Sequence, residues 1–329
     1  MKCTNHSIVA VLILGLSASP IFAQGPLTPP GPPAPTMKTL QQIEPRTPIS
    51  SVPVVITTSG SYYLTTNLNA VSGNGITISA NNVSLDLNGF ALTASGAGAG
   101  ITVPSTQTNV TVRNGSVSGW VYGVVGNNAI VEHLTVSSCS SAGIRCTSSS
   151  QVRNCICAGN SGNGITVDTD SLITDCIASG NGSFGIQATH SIVRNCRAAN
   201  NGQSGIYIST GAVSGCSAES NGGSGIYINL PGTEVIGNVC NGNNSGANAS
   251  NAGIYVNDSN NRIEDNHVTA NGYAGISVSS TYTGNLVVKN YVSGNGANNY
   301  LTPGNQVVGP LITTFGTISS SSPWANFSF

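Results

Sequence analysis

Gly185-Ile186-Gln187-Ala188 is followed by Val193-Arg194-Asn195-Cys196-Arg197-Ala198 and then by Ala199-Asn200-Asn201-Gly202. The chain then begins again at Gly205-Ile206-Tyr207-Ile208. Within each short segment apolar or small residues alternate with polar ones, the pattern of a half-buried strand. Asn-Gly closes the unit, and both residues tolerate the positive φ of a tight corner.

The same start recurs at Gly75, Gly100, Gly143, Gly164, Gly225, Gly253 and Gly275, with a weaker copy at Gly123-Val124. Central spacings are 20 to 21 residues, and the interval from Gly225 to Gly253 is 28, which marks an insertion around Asn241 to Asn251. A repeat of this length without a 3.6-residue pattern excludes a helical solenoid. Equal spacing instead sets matching strands of successive coils side by side, parallel and about 4.8 Å apart. Parallel crossovers are nearly always right-handed. The fold class read here is therefore all-β: a single-stranded right-handed parallel β-helix of about ten coils, with N- and C-terminal caps.

Alignment of the coils exposes columns. One runs Phe90, Gly115, Leu134, Cys155, Cys176, Cys196, Cys216, Asn238, Asn266, Asn290, and one two residues on runs from Leu92 through Cys157, Ala178 and Cys240 to Val292. Both are expected inside. Stacked asparagines can pass amide hydrogen bonds along the axis, and stacked cysteines act as small hydrophobes. In-register stacking holds the four cysteines at the strand spacing, wider than the roughly 3.8 Å between β-carbons that a disulfide prefers. Free thiols are expected. If any bridge forms, Cys139 with Cys146 is the better pair.

The ends read differently. Lys2, the apolar run Ile8 to Leu16 and the small residues up to Ala23 form a signal peptide over 1–23, cleaved near Ala23. Six of the thirteen residues from Gln24 to Thr36 are proline, giving a linker over 24–36. Residues 37–50 lead into and cap the first coil, 51–298 carry the repeats, and 299–329 form a C-terminal cap around Trp324, Phe327 and Phe329. The expected location is secreted, cell-surface or periplasmic, with no membrane span. Only 6% of the residues are charged and the net charge is -1, which excludes nucleic acid as a partner bound through its phosphates.

Gly-Ile-x-Ile followed by Val-x-x-[Cys/Asn]-x-[Ala/Val]-x-x-Asn resembles the repeat of the right-handed parallel β-helix family, part of the pectate-lyase-like superfamily. The resemblance covers about residues 51 to 295. It extends to Lys38 to Arg46, Asn81 to Phe90 and Pro323-Trp324-Ala325-Asn326-Phe327, which are similar to stretches of exported bacterial members. It implies the fold and leaves activity open, because this fold hosts lyases, hydrolases, epimerases and adhesins.

Chemistry on such a fold belongs to outward columns. Arg153, Asp175, Arg194 and Arg197 fall within three coils and are the candidate catalytic set for an acidic polysaccharide. The competing reading is a solvated set of ion pairs, worth little energetically. A lyase would need several carboxylates for calcium and a base, and a hydrolase a carboxylate pair. Neither pattern is evident. His133, His190 and His267 lie on different coils and read as surface or turn residues. No metal site is expected and no cofactor, calcium entering only with a lyase. A second outward column presents Tyr207, Tyr227 and Tyr255 on consecutive coils, either as stacked rings that stabilise the sheet or as a flat platform for sugars. The reading adopted is an exported, non-catalytic scaffold that contacts a polysaccharide or cell-surface glycan through this column. A polysaccharide lyase or glycoside hydrolase, and a purely structural surface protein, are the alternatives.

Overall fold

The structure, a computed structural model, describes Lys38 and residues 43–96, 98–316 and 320–329. The expected signal peptide and proline-rich linker lie outside the described residues, as do positions 37 and 39–42 of the lead-in. The chain divides into Met1–Pro45 and Arg46–Phe329, and the second unit holds the repeats.

One coil shows the plan. Ile226–Ile228, Glu234–Ile236 and Val239–Asn241 are three short strands separated by corners. Each pairs in parallel with its counterparts one coil before and after: Ile226 with Ile206 and Ile254, Val235 with Val213 and Ile263, Cys240 with Ala218 and Val268. The chain thus builds three parallel faces around one narrow core, in about 12 turns. Two turns lack the Gly-Ile start that marks the others in sequence. Val54–Ile56 and Asn298–Leu301 occupy the first face without it.

The core is a set of stacks. Ile144, Ile165, Ile186, Ile206, Ile226, Ile254 and Ile276 form one column on the first face, and all are fully buried. Full burial of such a side chain contributes about 1.5–3 kcal/mol, and the repeat delivers it in every coil. The column from Leu92 through Cys157 and Ala178 to Val292 lines the third face in the register the sequence suggests.

From Asn109 to Gly294 each coil turns at three corners, and each corner holds at least one residue in the left-handed region. In one coil these are His190, Asn195 and Asn200, with φ of 45°, 52° and 56°. Gly, Asn and Asp accept this region most readily, which accounts for much of the composition. Asp170, Asp175 and Asp265 occupy such positions, as do His133 and His190.

Side-chain ladders close the corners. Between the second and third faces the four cysteines give way to Asn238, Asn266 and Asn290, and Asn326 from the C-terminal segment extends the series. Asn238 donates through its backbone N–H and Nδ2 to Asn266 Oδ1 at 2.9 and 3.0 Å, and Asn266 repeats this to Asn290. A longer ladder, unanticipated from the sequence, lies between the third and first faces. It runs Asn160, Asn181, Asn201, Asn221, Asn243, Asn271, Asn295 and ends at Asn299. Asn201 also donates to the Ala178 carbonyl at 3.1 Å. At the remaining corner Ser150, Ser171 and Ser191 accept backbone N–H groups, and Asn261, Asn285 and Gln306 take over later.

This second ladder explains the glycine of Gly-Ile. It is not a positive-φ residue. A β-carbon on Gly205 would lie 2.6 Å from Asn221 Nδ2 and 2.9 Å from the Gly225 carbonyl oxygen, and Gly164, Gly185 and Gly253 stand in the same relation to the next asparagine. In the early coils fully buried Trp120 fills this corner, donating from its indole N–H to the Leu92 carbonyl at 3.1 Å.

All eight cysteines from Cys139 to Cys240 are free and buried. Each member of the Cys155, Cys176, Cys196 and Cys216 stack donates its thiol to the carbonyl two residues earlier, at 3.1–3.4 Å. Hydrogen bonding to the preceding thiol, together with burial, pushes Cys176 and Cys196 up to about 12. Burial alone does most of this for Cys139 and Cys146, at about 11 and about 12.

Candidate ligand-binding face

The outward position of each first-face strand is the x of Gly-Ile-x-Ile. Successive coils place Arg145, Thr166, Gln187, Tyr207, Tyr227, Tyr255 and Ser277 in one column. The flanking isoleucines point into the core, so the tyrosine rings point away from it. Parallel pairing without stagger sets ring upon ring.

Tyr207 and Tyr227 are stacked with centroids 5.4 Å apart and planes 10° apart, and Tyr227 and Tyr255 are stacked at 5.2 Å and 29°. Phe184 extends the row, its ring 4.9 Å from that of Tyr207 and tilted by 35°. The row is half-buried. Burial, reinforced by its two tyrosine neighbours, raises the Tyr227 hydroxyl above the usual phenol range, so this group stays neutral at ordinary pH. Phe184 was not singled out from sequence. Its signal was available, because the residue before Gly-Ile is Asn163, Ser204 and Ser224 in neighbouring coils and aromatic only at 184.

A groove of about 400 Å³ runs beside these rings. It is lined by Phe184, Tyr207 and Tyr227, by Gln203, Ser204 and the glycines of the corner, and by Asn251 from the insertion. Aromatic surface with a few neutral hydrogen-bonding groups is the composition of a site for a polar ligand that also has an apolar face. A second groove of about 560 Å³ follows past the insertion, lined by Ala249, Tyr255, Ser277 and Tyr300 among others. The insertion of the 28-residue coil thus borders both grooves, with Asn251 at the first and Ala249 at the second. Its loop is held internally: Asn244 Nδ2 donates to the carbonyls of Asn248 and Asn251 at 2.8 and 3.1 Å.

The arginine set has a different arrangement. Arg153 and Arg194 share the outward column of the second face, with Thr174 between them. Arg153 is paired to Glu132 of the preceding coil at 2.7 Å, and Arg197, on the third face, to Glu219 at 2.8 Å. The two arginines therefore engage carboxylates in opposite directions along the axis. Asp175 is the left-handed corner residue between the two faces, and Arg194 has no ion pair among the described residues. The most buried carboxylate among the described ion pairs is Glu264, which accepts from Lys289 Nζ at 2.7 Å and Arg262 Nε at 2.6 Å. Hydrogen bonding to Lys289 does most to lower its pKa, and Lys289 in turn sits 4.7 Å from the Trp324 ring centroid. This cluster ties the last coils to the C-terminal segment.

Among the described residues no group of three or more His, Cys, Asp or Glu could hold a metal ion, and no helix is long and apolar enough to cross a membrane.

Residues 123–251 and 190–309 match the family described as right handed beta helix region. Together these matches span more than half of the chain, which belongs to this family. Among solved structures it is similar to the A-module of mannuronan C-5 epimerase AlgE4 from Azotobacter vinelandii. That likeness has 14% identity and a TM-score of 0.65, over 80% of this chain and 90% of that one. The A-module of AlgE6 from the same organism gives 14% identity and a TM-score of 0.64, over 86% and 88%. At such identity the likeness concerns the fold. No curated protein matches the chain by sequence.

Proposed function

We propose that this chain is an exported scaffold that holds an extended glycan along its first face without altering it chemically. The observation that carries this reading is the unbroken row of Phe184, Tyr207, Tyr227 and Tyr255 beside a groove lined by neutral side chains. The stacked rings present their apolar edges to the groove, where the C–H groups of a sugar ring can pack, while its hydroxyls exchange hydrogen bonds with groups such as Gln203, Ser204 and Asn251. The rings recur at 5.4 and 5.2 Å, so a glycan lying along the axis meets a new ring with each unit. No His, Asp, Glu, Lys or Cys lines the groove, and its titratable groups are the hydroxyls of Tyr207 and Tyr227. Export rests on Lys2, the apolar run Ile8 to Leu16 and the small residues ending at Ala23.

A polysaccharide panel tests this reading. The wild type should retain at least one glycan, and the triple variant Tyr207→Ala, Tyr227→Ala, Tyr255→Ala should bind it at least tenfold more weakly. Incubation should release neither unsaturated sugars nor new reducing ends, with or without calcium. Undiminished binding by the triple variant would sink the reading, and product release would replace it with the enzymatic alternative.

A further inference from the structure

The aromatic row is one half of a longer track. Below Tyr207 the same outward column continues through Gln187 and Thr166 to Arg145. These residues, with Tyr122, Asn163 and Asp168, line a groove of about 400 Å³ on the same face. Asn163 joins the two halves. Its Nδ2 donates to Gln187 Oε1 at 2.7 Å and to Thr166 Oγ1 at 3.0 Å, and its Oδ1 accepts from the Phe184 backbone N–H at 3.2 Å. Among the described residues Gln187 Nε2 has no hydrogen-bond partner. The floor of this half is therefore fixed and polar where the other half is aromatic.

Arg145 is the distinctive group. It is exposed, and its guanidinium carbon lies 5.8 Å from the Tyr122 ring centroid. Arg113, Arg153, Arg197 and Arg262 each hold a carboxylate within ion-pair distance. Among the described residues Arg145 and Arg194 hold none, and of the two Arg145 lies on the first face, in the groove that Asp168 also lines. A guanidinium steadied by an aromatic face keeps its planar fork available, and that fork matches a carboxylate with two parallel hydrogen bonds. In a chain with ten basic residues among 329, an uncommitted arginine on the track of the proposed ligand has a specific use.

We infer that the track is selective for a carboxylate-bearing glycan: sugar C–H groups pack against the Phe184 to Tyr255 row, and a uronate about three sugar units away docks its carboxylate on Arg145. Three rungs separate Arg145 from Tyr207, roughly 14 Å at the strand spacing. Thr166, Gln187 and Asp168 meet the intervening hydroxyls. This inference rests on the glycan-binding reading above and adds charge, position and direction to it.

The test compares polyuronate oligosaccharides with their carboxyl-reduced counterparts, which differ only at C6, by titration calorimetry at low salt. The wild type should bind the uronate member of a pair at least tenfold more tightly. Arg145→Gln should bring the two members together while leaving the neutral one unchanged, and Arg145→Lys should keep part of the preference. Tyr227→Ala should weaken both members. Equal binding of the two by the wild type, or a preference that survives in Arg145→Gln, would overturn the inference and leave the glycan-binding reading standing. Tighter binding of sulfated dextran than of every uronate would overturn the assignment of the anion as a carboxylate. Failure of both members of every pair to bind would overturn the glycan-binding reading, and this inference with it.

Discussion

Asn201 shows how much one side chain does in this molecule. Its Oδ1 accepts from the backbone N–H and Nδ2 of Asn181, and its own Nδ2 donates to Ala178 and to Asn221. Asn201→Ala therefore leaves the Asn181 backbone N–H buried without a partner, at about 1–3 kcal/mol, and takes from Asn181 Nδ2 one of its two acceptors, the Cys157 carbonyl remaining. We expect a loss of about 1–3 kcal/mol in denaturant unfolding. The corresponding change at Asn295, which is only partly buried near the end of the ladder, should cost less than half as much. Equal losses at the two sites would show that water, not the ladder, satisfies these groups. The asparagine column at the other corner was legible in the sequence because Cys and Asn replace each other there. The column through Asn201 was not, because Asn-Gly reads equally well as a solvated turn. Whether a corner amide points to water or along the axis depends on the next coil.

At the level of the strand, the glycine of Gly-Ile is fixed by what lies above it. Gly205→Ala places a methyl group against Asn221 Nδ2 and the Gly225 carbonyl, and the hydrogen bonds from Asn221 to Ala198 and Asn243 leave that amide little room to adjust. We expect a loss of more than 2 kcal/mol in unfolding free energy. Gly232, with φ of 74° and open space where its β-carbon would be, should lose only the smaller cost of a left-handed alanine, about 1–2 kcal/mol. A reversed ranking would refute close packing as the reason for the motif. The same strands carry the tyrosine row, and its register was readable from spacing alone. The ion pairs were not. Periodicity tells which face a side chain occupies but not which flanking coil it engages. Arg153 turned to Glu132 and Arg197 to Glu219, separations of 21 and 22 residues that no local pattern encodes.

Over the whole molecule, the thiols give a pH dependence. Their ordinary value is 9.0, and in the fold several are raised to between about 11 and about 12. Above pH 9 the unfolded chain loses these protons while the folded chain keeps them. Stability is therefore intact below pH 9 and falls as pH rises toward 12, by up to about 1.4 kcal/mol per pH unit for each such thiol. Denaturant midpoints at pH 8, 9.5 and 10.5 should fall in that order, and a flat profile would contradict the buried thiol stack. A thiol reagent at pH 8 should likewise find almost none of the eight cysteines from Cys139 to Cys240 reactive in the native protein and all eight reactive after denaturation. Ready native labelling would place the stack in contact with solvent. Because each coil touches only its neighbours, damage to a middle ladder should propagate further than damage at an end.

The sequence by itself determined the strands, their parallel register, the alternation that sorts core from surface and the tyrosine column, since all of these follow from a repeat spacing that forces equivalent residues to stack. The tertiary structure decided what happens between coils: the second asparagine ladder, the reason for the Gly-Ile glycine, the partners of Arg153 and Arg197, the place of Phe184 in the aromatic row and the isolation of Arg145. These depend on contacts between residues some twenty positions apart across a corner. There the direction of a side chain is set by the neighbouring coil and not by the residues beside it in the chain.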